Sequence, residues 1–138
     1  MSATTVTVPT ITAHPPRSLR TTTVFAGLAA AAAVSVAAAA LHAAGVSFKV
    51  QGEAIPVLGF AQMTFLGAVI GGVLLAVLNR RNAQPRRRFI QATIALTAVS
   101  CVPSVAWPDD AGSKLSLVVL HVLAAMIVVP LLARHAAD

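Results

Sequence analysis

Four runs of apolar residues, each about as long as a bilayer's hydrocarbon layer is thick, occupy most of this 138-residue chain. They cover approximately 22–44, 56–78, 89–107 and 115–133, and no Asp, Glu, Lys or Arg interrupts any of them. A helix needs about 20 such residues to cross the hydrocarbon, where every backbone N–H and C=O must find its partner within the segment. Only 10% of the residues are charged, against about 25% in an ordinary soluble domain. The expected fold class is therefore all-α: a bundle of four transmembrane helices running up and down. It forms one domain over 21–138, behind a disordered cytoplasmic tail at 1–20 that is rich in Thr, Val and Pro. Three short connections leave no room for a soluble catalytic domain.

The formal net charge of +6 is placed, not spread. Arg17, Arg20, Arg80, Arg81, Arg86, Arg87, Arg88 and Arg134 lie at alternate ends of the runs, all on one side of a four-span thread. Lys49 and Lys114 are the only bases on the other side, beside Glu53, Asp109 and Asp110. Lys and Arg are retained in the cytoplasm during insertion, so both termini are expected inside, in a bacterial plasma membrane, with 45–55 and 108–114 outside. This placement explains the basic charge without nucleic acid. The cluster Arg80, Arg81, Arg86, Arg87 and Arg88 is also suited to anionic lipid headgroups, each base gaining about 1 kcal/mol near such a surface. A basic stretch before an Ala-rich run can be a cleaved leader. Here the run is too long for one, some 20 residues precede it, and Leu41 and His42 break the small-residue pattern near its end.

Punctuation between the runs is specific. Gly45 suits the left-handed residue that ends a helix. Val46, Phe48 and Val50 alternate with Ser47, Lys49 and Gln51 before a Gly52-Glu53 turn, which reads as a short β-ribbon over the outer mouth or as an irregular loop dipping into the interface. Pro56 suits the first turn of the second helix, and Ser113 or Asp110 can cap the fourth. Pro103 and Pro130 free the carbonyls of Val99 and Met126, which kinks each helix or provides a hinge.

Polar residues within the runs concentrate in the outward half. Gln62, Cys101 and His121 lie at similar depth, with His42 nearer the surface. Thr93, Thr97, Ser100 and Ser104 follow one helical face. Ionisable groups at membrane depth usually point into the bundle. The expectation is an outward-opening polar pocket lined by Gln62, Ser100, Cys101 and His121, with Thr97 on the shared face and His42 at the rim. The competing reading is structural: Ser and Thr bond their own helix, and a His–Gln bond between helices contributes about 0.6 kcal/mol.

Chemistry is constrained by what the runs lack. His42 and His121 differ in depth by roughly 5–6 Å at 1.5 Å per residue, too much for two axial ligands of one haem. No helix carries paired metal ligands, no acid lies in a run, and a Ser100–His121 dyad has no orienting third group. With Cys101 the sole cysteine, dithiol redox chemistry within the chain is excluded. No catalytic residue, metal or cofactor is expected. Gly67 and Gly71 form a G-x-x-x-G pair on the side of the helix opposite Gln62. Either this face turns outward towards a second copy or a membrane partner, or the glycines pack inside the bundle.

Gly45, Val46, Ser47 and Phe48, then Ile55, Pro56, Val57, Leu58, Gly59 and Phe60 give the chain a recognisable pattern. Arg86, Arg87 and Arg88 follow, then Leu120-His121, Val129-Pro130 and Ala133-Arg134. In these residues it resembles a family of small four-span bacterial integral membrane proteins of unknown function. The resemblance implies the four-span architecture and draws interest to His121 and Pro130; it implies no substrate and no catalytic residue. The expected function is a non-enzymatic module that binds membrane lipid or a small amphiphile, or serves as an accessory to another membrane protein. The alternative is a small transporter or channel acting as an oligomer.

Overall fold

The computed structural model describes residues 18–137. They form four helices, α1 (Leu19–Ala43), α2 (Val57–Arg81), α3 (Pro85–Ala106) and α4 (Ala111–Ala133), with strands β1 (Lys49–Val50) and β2 (Glu53–Ala54) between α1 and α2. All four helices are long and apolar enough to cross a membrane. At 1.5 Å per residue they span roughly 33–38 Å, more than the ~30 Å hydrocarbon core. The disordered tail expected over 1–20 lies outside the described residues except at its end. There Ser18 caps α1, its hydroxyl accepting from the Thr21 N–H at 3.3 Å, and Leu19 and Arg20 are already helical.

Caps set the other boundaries too. Pro56 stands at the N-cap of α2, and Pro85 opens α3 four residues before its apolar run, where a missing N–H costs no bond. Arg86, Arg87 and Arg88 consequently occupy the first turn of α3, against the helix dipole. Asp110 caps α4: its carboxylate accepts from the Ser113 N–H at 2.8 Å.

Small residues decide the packing. α1 lies against α2 and α4 through fully buried Ala26 and Ala30 and near-buried Val34 and Ala38. Gly27 faces Phe65 and Ala68, Gly72 faces Thr23, and Gly71 faces Leu132. Such positions let helix backbones approach where lipid offers no hydrophobic drive. α3 packs on α4 but meets α2 only thinly. The bundle is thus a closed ring with one weak seam, between α2 and α3.

The β-ribbon covers one end. Its turn residues Gln51 and Gly52 have φ of 53° and 86°, the two left-handed positions of a tight hairpin turn. An isolated hairpin is marginal, but this one is anchored. Val50 bridges to Pro108, the Asp109 N–H donates to the Lys49 carbonyl at 3.2 Å, and the Gly52 N–H donates to Asp109 Oδ2 at 2.9 Å. Phe48, left-handed at φ 47° and 2% exposed, lies edge-on to Phe60 with ring centres 5.1 Å apart. Ser47 donates to Asp110 Oδ2 at 2.7 Å, tying the ribbon to the start of α4.

The arginine-bearing end is clasped differently. His135 Nε2 bonds Thr22 Oγ1 at 2.8 Å, Asn79 Nδ2 donates to the His135 carbonyl at 2.9 Å, and the Ala137 N–H donates to Asn79 Oδ1 at 3.1 Å. The residues after α4 are thereby fastened across α1 and α2. Arg20, Arg80, Arg81, Arg86, Arg87, Arg88 and Arg134 are all exposed at this end.

Candidate functional site: a groove at the α2–α3 seam

The thin contact between α2 and α3 leaves a groove of about 780 Å³. A volume in the range of roughly 300–1,000 Å³ is typical of small-molecule sites. The groove runs nearly the height of the bundle, from Val50, Trp107 and Pro108 under the ribbon to Phe89 at the other end. Met63, Leu66 and Ile70 of α2 and Leu96 of α3 supply apolar walls, all more than half exposed. Its inner surface carries Thr64, Thr93, Thr97, Ser100, Ser104 and His121. No Asp, Glu, Lys or Arg lines it.

The polar strip has a definite bonding state. Thr93 donates to the Phe89 and Ile90 carbonyls at 2.9 and 3.0 Å. Ser100 donates to the Thr97 carbonyl at 2.9 Å, and Ser104 to the Ser100 carbonyl at 3.3 Å. Hydroxyls engaged in this way keep their oxygen lone pairs. His121 Nδ1 lies 2.9 Å from the Leu117 carbonyl. A carbonyl only accepts, so Nδ1 carries a hydrogen, and in the neutral ring Nε2 is an acceptor. Ser104 Oγ stands 3.5 Å from the same Nδ1.

Of the residues expected to share a pocket, the groove unites Thr97, Ser100 and His121. Gln62 is exposed on α2 and does not line the groove. Cys101, half-buried, lines a shallow dent on α3 with Ala98, Val102, Val105 and Ala106. That dent is a surface hollow among apolar side chains, and the groove is the only one of the two that gathers several polar groups. His42 is exposed at the end of α1, donates from Nδ1 to the Val46 carbonyl at 3.0 Å, and does not line the groove. The two glycines divide: Gly71 packs against Leu132, whereas a Cβ at Gly67 would meet nothing within 4 Å.

Thr64 and Trp107 are groove residues that reasoning from depth passed over. A signal for Thr64 was present, since it shares a helical face with Ala68, Gly71 and Leu75, the small-residue side on which α2 packs. His135, just beyond α4, holds the clasp at the arginine end. Among the described residues, no three His, Cys, Asp or Glu side chains gather closely enough to hold a metal ion.

Outside the spans, Asp110 is the distinctive titrating group. Hydrogen bonds from the Ser47 hydroxyl first, then from the Ser113 N–H and hydroxyl, hold its pKa at about 2, below the usual 3.8.

Four apolar helices of membrane length, closed into a ring and capped by a small ribbon, define a multi-pass integral membrane protein. Residues 14–138 match the model of a family described as "Family of unknown function (DUF6069)", and the chain belongs to that family. No curated protein and no solved structure matches the chain.

Proposed function

We propose that this protein is a non-enzymatic binding module of the bacterial plasma membrane, which takes the apolar chain of a lipid or small amphiphile sideways into the α2–α3 groove. The observation that carries this reading is the seam itself: a membrane-height opening with apolar walls and a polar strip behind them. A chain entering from the bilayer keeps its apolar contacts while its polar end reaches His121 and the hydroxyls. The arginine distribution supports cytoplasmic termini, and Arg80, Arg81, Arg86, Arg87 and Arg88 are placed to touch anionic headgroups at that surface. A conducting path would need openings at both ends. The ribbon over one mouth and fully buried Phe89 near the other favour binding over the transporter or channel reading.

Exposed Gln62, flanked on its face by exposed Leu58 and Leu66, favours a second copy or a membrane partner on that side of α2. Amide side chains pair across membrane helices.

Gly67→Phe tests the binding reading, because its side chain would project from an open position into the groove. Native mass spectrometry of gently extracted protein should show retained lipid in the native chain and little in the variant. Equal retention in both, or none in either, would refute it.

A further inference from the structure

Resting on that reading, we infer that the groove selects a neutral chain ending in a hydrogen-bond donor, a long-chain alcohol or hydroxyl-bearing lipid, and that His121 Nε2 receives the donor.

Three observations converge on this chemistry. The first is the absence of any charged side chain from the groove lining. A carboxylate or phosphate drawn in from the bilayer would lose its hydration without gaining an ion pair, which is costly at membrane depth. The second is the state of the polar strip. Thr93, Ser100 and Ser104 donate to carbonyls of their own helix, so towards a ligand they offer oxygen lone pairs. The third is His121, whose Nδ1–H is held by the Leu117 carbonyl. Among the described residues no protein group bonds Nε2, which leaves an imidazole lone pair in a groove whose polar strip is otherwise made of hydroxyls. An ester or ether end can accept from Thr97 or Thr64 but has no hydrogen to give, so it leaves the His121 lone pair unmatched. A hydroxyl end supplies the missing hydrogen, and its own oxygen can still accept from Thr97 or Thr64, which line the same groove.

The test titrates the purified full chain, in one detergent, with hexadecan-1-ol, its methyl ether and hexadecanoate, reading bound ligand by native mass spectrometry. One neutral hydrogen bond predicts that the alcohol binds about three- to ten-fold more tightly than the ether. Hexadecanoate should bind no better than the ether. His121→Leu should bind both neutral probes and lose the preference. His121→Gln, which returns an acceptor at comparable reach, should recover part of it. Circular dichroism verifies that each variant is as helical as the native chain. Equal affinity of the native protein for alcohol and ether overturns the donor inference, as does a preference that survives His121→Leu or a carboxylate that binds best. If no probe binds the native chain, or if Gly67→Phe binds all three unchanged, the groove reading fails and this inference with it.

Discussion

Gly67 and Gly72 lie five residues apart on α2, and alanine should act on them with opposite sign. At Gly72 an added Cβ would stand 2.6 Å from the Thr23 methyl and 3.0 Å from Thr23 Cβ. Thr23 has little freedom to yield, because it is buried and its hydroxyl donates to the Leu19 carbonyl at 2.8 Å. Forcing a methyl into such a contact costs about 1–3 kcal/mol, as overpacking does in tight cores. Replacing a helical glycine by alanine returns up to about 1 kcal/mol through backbone entropy. The net for Gly72→Ala, taking the full return, is a destabilisation of up to roughly 2 kcal/mol. At Gly67 nothing lies within 4 Å, so only the propensity remains, and Gly67→Ala should stabilise by about 0.5–1 kcal/mol. Unfolding each variant in bicelles by graded addition of a denaturing detergent, followed by helicity, measures the difference. Thr23→Ala should relieve part of the Gly72→Ala penalty, since it removes the methyl and the hydroxyl but leaves Cβ. A Gly72→Ala protein as stable as Gly67→Ala would refute the close α1–α2 approach and the rotation of α2 that follows from it.

The ribbon end should be acid-sensitive in a defined window. Asp110 is depressed to about 2 from 3.8, so its contribution is complete above about 4 and is lost as pH falls through 2; Asp110→Asn should flatten the pH dependence of thermal unfolding there. Asn79→Ala removes two hydrogen bonds that hold the segment after α4, at an expected cost of about 1–2 kcal/mol, with faster hydrogen exchange at Ala137 as the local readout. Gln51→Asn should stabilise the ribbon by a few tenths to about 1 kcal/mol, because Asn tolerates the left-handed φ of 53° better and Asn-Gly is the favoured turn pair; slower exchange at Ile55, whose N–H bonds the Phe48 carbonyl, would register it. Reporter fusions after residues 50 and 84 should fall in opposite compartments, and signals from the same compartment would overturn the threading of the chain.

The four helices were legible because length without charge is a demanding pattern, and little else satisfies it. Their ends were less so, since hydropathy does not set them. Ser18 caps α1 four residues before the apolar run, Pro85 starts α3 among polar and basic residues, and Asp110 caps α4 ahead of Lys114. The ribbon could be read from alternation and a Gly turn. Its anchoring could not, because Pro108 and Asp109 lie more than fifty residues away and nothing local marks them as partners of Val50 and Gly52. The clasp of Asn79, His135 and Thr22 was hidden for the same reason.

The site exposes a deeper asymmetry in what a membrane sequence reveals. Depth follows from counting residues at about 1.5 Å each, so Gln62, Cys101 and His121 could be placed at one level. Rotation about each helix axis does not follow, because lipid is as apolar as the core and the hydrophobic contrast that orients a soluble helix disappears. Polarity is then a poor compass. The amide of Gln62 faces outward, while the inward face of α2 is built from Thr64, Ala68, Gly71, Gly72 and Leu75. Close approach is what a bundle needs from a face, and small residues provide it. Oriented by its small residues, α2 brings Thr64 to the seam and leaves Gln62 exposed. The same criterion explains why the seam stays open: Gly67 borders it with no side chain, and α3 answers with Thr97 and Ser100, whose short side chains cannot reach across. A gap between two helices that are both apolar and both small-faced is space left for something else to fill.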